Sequence, residues 1–94
     1  MAKRADENQS QIVAGLRAAG CSILHLHEVG HGCPDILCFH PRTGRYHLME
    51  IKNGSLSLSR RKLTPDEERF HKTWKGPILI IESLDAALKA IGLV

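Results

Sequence analysis

The sequence has few aromatic residues and no long apolar run. Only four of its 94 residues are Phe, Tyr or Trp, so the hydrophobic core must be built from aliphatic side chains. No apolar stretch approaches the roughly 20 residues that a membrane-spanning helix needs. The first residues also lack the apolar segment of a secretory signal peptide. We therefore expect a protein that does not enter a membrane.

Cysteine is scarce as well. Three cysteines cannot all pair within one chain, which argues against a disulfide-built secreted domain and favours a reduced, cytoplasmic setting. A zinc site is a minor alternative, because several potential ligands lie close together in the sequence. None of them has the CxxC spacing of a structural zinc knuckle. These potential ligands are His25, His27, Cys33, Cys38 and His40.

The length and the net charge of the chain narrow the classes of protein that remain. Ninety-four residues suit one domain covering residues 1–94, of which we expect residues 1–5 to be frayed. The net charge of +3 favours polyanionic partners without establishing one. A chain of this size buries only about 60–65% of the surface that its unfolded form exposes. We therefore expect modest stability and a homodimer.

The spacing of apolar residues predicts a helix, three strands, a second helix, a fourth strand and a last helix. Thr64, Pro65 and Glu67 have the pattern of a capping box with proline at the first helical position. The apolar run PILIIE, residues 77–82, is typical of a strand that is covered on both faces. The segment between the third and fourth strands is long enough for a crossover joining parallel strands. The expected fold class is α/β, with a mixed four-stranded sheet.

The second and third predicted strands, joined by the turn PRTG, place charged residues together. A four-residue loop puts His40 opposite Arg45, and the same register continued outward puts Asp35 opposite Glu50. Opposed side chains share a face of the sheet, and Lys52 lies on that face because it is two residues beyond Glu50. Two facing carboxylates repel each other unless a cation lies between them. Hard divalent cations such as Mg²⁺ prefer carboxylate oxygens, so the hairpin predicts a metal site.

These residues resemble a known nuclease motif. Pro34-Asp35 followed by Glu50-Ile51-Lys52 is similar to the motif of the PD-(D/E)XK nucleases. The flanking segments GCPD, EIKNG, LTPDEERFH and GPILIIES resemble the VRR-NUC branch, in particular its small stand-alone members from bacterial viruses. The resemblance covers residues 6–92 and implies a restriction-endonuclease-like core. It also implies a DNA nuclease that depends on Mg²⁺ or Mn²⁺, acting within or at the ends of a strand, with structure-selective cutting of junction or flap DNA as one form of this activity, in the cytoplasm of a bacterial host.

The resemblance also implies a role for each motif residue. Asp35, Glu50 and the backbone carbonyl of Ile51 would hold the metal. Lys52 would orient the attacking water and offset charge on the phosphate. Related nucleases often have a glutamate on the first helix, where this chain has Gln9, with Glu7 nearby.

A basic run follows the motif. Arg60, Arg61 and Lys62 would lie where phosphates pass, and basic residues there would bind the DNA backbone without selecting sequence. His31, in the glycine-rich loop before the motif, is a further candidate for DNA contact. Two alternatives stay open on the sequence alone. The run could be a solvated loop, and the chain could be a non-catalytic nucleic-acid-binding module on the same fold.

Overall fold

The computed structural model describes residues 8–93, and its elements follow the predicted order. The predicted frayed segment, residues 1–5, lies outside the described residues. The elements are α1 (Gln9–Ala18), β1 (Ser22–His25), β2 (Ile36–His40), β3 (Arg45–Ile51), α2 (Pro65–Thr73), β4 (Ile78–Ile81) and α3 (Leu84–Ala90), with 3₁₀ turns at His27–Val29 and Leu58–Arg61.

The four strands form one mixed sheet in the order β1-β2-β3-β4. The pairs β1/β2 and β2/β3 are antiparallel, and β3/β4 is parallel. The connection through α2 makes the parallel pair possible, because it returns the chain to the end of the sheet where β3 began. The predicted α/β class and the mixed four-stranded sheet are confirmed.

The predicted register of the β2–β3 hairpin is also confirmed. His40 pairs with Arg45, Phe39 pairs with Tyr46, and the ladder continues in that register to the start of β2. Gly44 closes the turn at φ +69 and donates its N–H to the carbonyl of His40 at 2.9 Å. A left-handed φ strains most other residues, so glycine suits this position.

One face of the sheet is covered by α1 and α3, and the core lies between them. The buried side chains of the core are aliphatic or sulfur-containing, as the scarcity of aromatic residues predicted. Ser83 starts α3 by accepting a hydrogen bond from the N–H of Ala86 at 3.1 Å. No helix within residues 8–93 has the length and apolar character needed to cross a bilayer. The core consists of Ile12, Val13, Leu16, Cys21, Ile36, Cys38, Met49, Ile51, Ile81, Ala87 and Ile91.

The opposite face is covered only in part, by α2. Ile80 on β4 is 50% exposed, so the prediction that this strand is covered on both faces is wrong. Trp74, directly after α2, is 48% exposed and stacks on Phe70 with ring centroids 5.6 Å apart. A single short helix cannot cover four strands, so apolar side chains on this face are left in contact with solvent.

Candidate active site

The predicted site residues lie at one edge of the sheet, where β2 begins and β3 ends. Asp35 directly precedes β2 and is attached to β3, because its N–H donates to the carbonyl of Met49 at 3.0 Å. Its carboxylate Oδ2 accepts a hydrogen bond from the N–H of Ile51 at 2.7 Å. The side chain of Asp35 is therefore fixed against the segment that carries Glu50 and Lys52. We call this part of the molecule the catalytic edge, after the catalytic residues that the sequence predicts there.

Glu50 is the most unusual group at the catalytic edge. It is 1% exposed, and its Oε1 has no hydrogen-bond partner among the described residues. Burial is the main reason that the pKa of Glu50 rises to about 10, and the neighbouring carboxyl groups of Asp35 and Glu67 raise it further. Without a cation, Glu50 therefore keeps its proton at neutral pH. This protonation relieves the repulsion that the sequence predicts between the two facing carboxylates.

Lys52 is held by a buried ion pair. Its Nζ lies 2.7 Å from Oε1 of Glu67, and Glu67 is 0% exposed. The same Oε1 accepts a hydrogen bond from the N–H of Thr64 at 2.9 Å, while the N–H of Glu67 donates to the Thr64 hydroxyl. The predicted capping box is confirmed. The sequence did not predict the second role of Glu67, which is to fix the ammonium group of Lys52.

A close backbone contact keeps α2 at the catalytic edge. Gly32, three residues before Asp35, has φ +80, and a Cβ at this position would overlap the backbone carbonyl of Asp66. Only glycine lets the loop before Asp35 approach the first turn of α2 this closely. The loop and the helix are thus packed together, which brings Glu67 to the site.

His71 is a further residue at the site that the sequence analysis did not identify. It lies one helical turn after Glu67, and its Nε2 is 3.6 Å from Oε1 of Glu50. That nitrogen is buried and has no hydrogen-bond partner among the described residues. Burial lowers the pKa of His71, Glu67 opposes the shift, and Lys52 adds to it. The spacing of four residues from Glu67 was the available signal, because such residues share a helix face.

The donor set fits a hard divalent cation. Asp35 and Glu50 offer carboxylate oxygens at adjacent positions, and Oε1 of Glu50 is buried without a hydrogen-bond partner among the described residues. No group of three or more His, Cys, Asp or Glu side chains within residues 8–93 is arranged to hold a metal. A bound cation would therefore depend on the two carboxylates together with backbone and water oxygens. Mg²⁺ sites are commonly of this kind, because Mg²⁺ keeps several of its waters.

The alternative zinc ligands do not converge. Cys38 and His40 are buried on the face of the sheet that α1 and α3 cover. His25 and His27 are exposed. Cys33 lines a cleft on the opposite face from Cys38. The structure thus brings together the carboxylates of the hairpin rather than the cluster of histidines and cysteines.

The start of α1 reaches the same end of the sheet. Asn8 Nδ2 donates to the carbonyls of Lys52 and Glu82 at 3.0 and 3.1 Å. Gln9 is 5% exposed, and its Oε1 has no hydrogen-bond partner among the described residues. Gln9 therefore directly follows Asn8, whose side chain contacts the backbone of Lys52. Glu7 lies outside the described residues.

The basic run is divided between two environments. Arg61 forms an ion pair with Glu82, with Nη1 and Oε2 2.8 Å apart, whereas Arg60 and Lys62 are exposed. His31 is exposed in the glycine-rich loop, with φ 56. Arg60, Lys62 and His31 are therefore accessible to a polyanion, and Arg61 already has an anionic partner.

The catalytic edge combines two carboxyl groups, an ammonium group and a buried carboxylate that fixes the ammonium. Asp35 and Glu50 could ligate a cation, and Lys52 could stabilise a negative charge that develops beside it. Metal-assisted hydrolysis of a phosphate ester can use both functions. No protein family, curated protein or solved structure was found to match this chain, so the chemistry of this edge is the basis for a functional assignment.

Proposed function

We propose that this protein is a metal-dependent DNA nuclease with a restriction-endonuclease-like core. The observation that carries the proposal is the catalytic edge, where Asp35 and Glu50 are adjacent and Oε1 of Glu50 is buried without a hydrogen bond from any described residue. A buried polar atom without a partner is destabilising and uncommon. A ligand for that oxygen explains why the chain keeps it, and Mg²⁺ or Mn²⁺ suits the chemistry of the two carboxylates.

Asp35, Glu50 and the backbone carbonyl of Ile51 would hold the cation. When bound, it supplies a Lewis acid for the phosphate and lowers the pKa of a bound water. Asp35 is already oriented, because its Oδ2 accepts the N–H of Ile51. Glu50 must lose its proton before it can ligate, so cation binding should release protons and strengthen as the pH rises.

Lys52 would offset charge on the phosphate and orient the attacking water. Its ammonium is 2.7 Å from the carboxylate of Glu67, which keeps the charged group in one position. A fixed charge avoids the reorganisation that a mobile lysine would need during the reaction. Glu67 is therefore a positioning residue that acts through Lys52.

DNA binding would use the exposed basic groups near the catalytic edge. Arg60 and Lys62 follow β3 and are exposed, and the net charge of the chain is +3. Contacts of this kind hold the phosphate backbone without selecting sequence. We further propose a homodimer in the bacterial cytoplasm that selects branched DNA, such as junctions or flaps, because one small subunit offers little surface for a branched substrate.

The direct test is a cleavage assay with labelled single-stranded, duplex, flap and four-way DNA. We expect cleavage of at least one branched substrate with Mg²⁺ or Mn²⁺, and no cleavage in EDTA. The pattern of fragments would give the preferred DNA structure and the cut position. Binding without cleavage under every metal condition would instead favour the non-catalytic nucleic-acid-binding module.

The salt dependence of DNA binding tests the basic run. Changing both Arg60 and Lys62 to alanine should lower the slope of log affinity against log salt by up to about 0.9 per lost phosphate contact on duplex DNA. Arg61→Ala should change the slope less, because Arg61 is already paired with Glu82. The measurement is a fluorescence-anisotropy titration at several salt concentrations.

Lys89→Ala is the matched control for these variants. Lys89 is exposed on α3 and also has a carboxylate partner, Asp85, at 3.1 Å. Its removal changes the net charge by the same amount as one substitution in the run. Equal slopes for the parent, the Arg60 and Lys62 double variant and Lys89→Ala would show that the basic run is a solvated loop.

A further inference from the structure

The face of the sheet that carries the catalytic edge also carries exposed apolar side chains. Leu24 is 57% exposed, Tyr46 67% and Ile80 50%, although each lies on a strand. Val29 and Trp74 beside them are 59% and 48% exposed. We call the surface formed by these five residues the open sheet face.

Strand pairing shows that the open sheet face is continuous. Leu24 pairs with Leu37, which pairs with Leu48, which pairs with Ile78, so one row of apolar side chains crosses all four strands. Tyr46 lies two residues from Leu48 and belongs to the same face. A cleft of about 600 Å³ lies between this row and the end of α2. Leu26, Val29, Cys33, Leu37, Tyr46, Leu48, Phe70, Trp74 and Pro77 line the cleft.

We propose that a second copy of this chain binds the open sheet face, in a symmetric homodimer. The inference deepens the homodimer proposed above and rests on it, but it is independent of the nuclease chemistry. In a two-fold dimer the same patch serves both partners. Strand β4 would then be covered on its second face, as its continuous apolar sequence predicts.

The exposed apolar area matches what one partner of a stable interface supplies. Five side chains, each with on the order of 150–200 Å² of surface and exposed by 48–67%, leave roughly 400–550 Å² of apolar area. A standard interface buries about 800 Å² per partner, of which about 56–65% is apolar. The largest apolar patch on a typical monomer is about 300–600 Å² and is often functional. The open sheet face is therefore large enough to form the centre of a dimer interface.

Charge favours a second copy over DNA on this surface. The row that crosses the sheet contains no charged residue, and the charged side chains further along β2 and β3 on this face are buried: Asp35 is 6% exposed, Glu50 1% and Lys52 9%. Two copies would therefore meet along this row without opposing like charges. The five residues of the open sheet face carry no cation that a polyanion could bind, whereas Arg60 and Lys62 are exposed outside it. Burial of apolar surface would then be the main source of binding free energy at this face.

The geometry also links the dimer to the catalytic edge. Asp35 and Glu50 lie two residues beyond Leu37 and Leu48 on the same face. Two-fold pairing through that face would set the two catalytic edges at one fixed separation. A fixed separation of two sites suits a substrate with two strands to cut, such as branched DNA.

The test compares two leucine-to-glutamate variants by sedimentation velocity. The parent should sediment close to twice 10.4 kDa, and Leu24→Glu should raise the dissociation constant of the dimer at least about 100-fold, because symmetry would bury two unpaired carboxylates. Leu58→Glu is the matched control. Leu58 is 75% exposed but lies in the 3₁₀ turn at Leu58–Arg61, away from the strands, so this variant should remain a dimer.

Trp74 gives a second readout, because it is the only tryptophan in the chain and lies on the open sheet face. Dilution should shift its emission to longer wavelength in the parent and in Leu58→Glu. Leu24→Glu should already show the shifted emission at high concentration. Tyr46→Glu, at a 67% exposed position, repeats the test if Leu24→Glu fails to give a folded circular-dichroism spectrum.

Three outcomes would overturn this dimer interface. They are a parent that is monomeric at every concentration, a dimer that Leu24→Glu and Tyr46→Glu leave intact, and a monomer whose Trp74 emission changes only with single-stranded DNA. The last outcome would assign the face to unpaired bases. None of these measurements uses a metal ion or measures DNA cleavage. A dimer without nuclease activity would therefore refute only the proposed function, and an active monomer would refute only the dimer.

Discussion

Replacing Asp35 with asparagine or Glu50 with glutamine should remove nearly all DNA cleavage and leave DNA binding intact. Each change keeps the shape of the side chain and removes a negative charge that the cation needs. In Asp35→Asn the amide oxygen could still accept the N–H of Ile51, as Oδ2 of Asp35 does at 2.7 Å, so the local fold should persist. A metal contribution of several kcal/mol corresponds to a rate loss of at least about 10³-fold.

Asp85→Asn is the matched control for Asp35→Asn. The carboxylate of Asp85 is 71% exposed on α3 and pairs with Lys89, so the same chemical change there should leave the cleavage rate unchanged. Single-turnover cleavage and anisotropy binding should be measured on the same preparations. Full activity of folded Asp35→Asn and Glu50→Gln would rule out the catalytic edge as the active site.

Lys52 needs a different substitution from the carboxylates. Lys52→Ala should lose cleavage and still bind metal, but it leaves the carboxylate of Glu67 buried at 0% exposure without its cation. Breaking such a pair typically costs about 3–5 kcal/mol. The double variant Lys52→Met, Glu67→Gln removes both charges together. It should keep the fold better than Lys52→Ala and should still lack cleavage.

The hairpin shows how much of this site could be predicted from the sequence. The loop length of four residues and a period of two were enough to place Asp35 beside Glu50, because a hairpin register is determined by its turn. Both strands and the turn are adjacent in sequence. The prediction therefore needed no knowledge of how distant elements pack.

Glu67 and His71 are the part of the site that could not be predicted in this way. Glu67 had a sufficient local explanation as a capping residue, and nothing in the sequence specified that α2 crosses the end of β3. The close approach of Gly32 to Asp66 allows this position, and it joins residues that are 34 positions apart in the chain. The prediction for β4 failed for a related reason. An apolar strand shows that Ile80 needs cover, but not whether the cover comes from the same chain.

Glu50→Gln should also change stability, in opposite directions with and without Mg²⁺. Folding raises the pKa of Glu50 from 4.5 to about 10. The stabilising contribution of Glu50 to the folded state is therefore fully present below pH 4.5. It is lost as the pH rises towards 10. The free energy of unfolding of the metal-free parent should fall by about 1.4 kcal/mol per pH unit within that interval.

At pH 7 the parent should have lost up to about 3 kcal/mol relative to low pH, and Glu50→Gln should not show this loss. The size of the effect at pH 7 depends on the ordinary pKa of glutamate and not on how far the folded value lies above 7. In EDTA, the stability of Glu50→Gln relative to the parent should therefore increase steadily with pH. A constant difference between the two proteins would show that Glu50 is not protonated in the folded state.

Mg²⁺ should instead stabilise the parent relative to Glu50→Gln, because Mg²⁺ binds the folded parent and needs the ionised carboxylate of Glu50. With a dissociation constant of about 1 mM, about 10 mM Mg²⁺ stabilises the parent by roughly 1.4 kcal/mol. For a domain of this size, that corresponds to a rise in melting temperature of about 6–11 °C if unfolding is two-state.

Glu50→Gln and Asp35→Asn should show little of this rise in melting temperature, and Asp85→Asn should show all of it. Melting curves in Mg²⁺ and in EDTA at equal protein concentration give both effects, since a dimer makes melting depend on concentration. An equal Mg²⁺ shift in all four proteins would mean that neither Asp35 nor Glu50 ligates the cation.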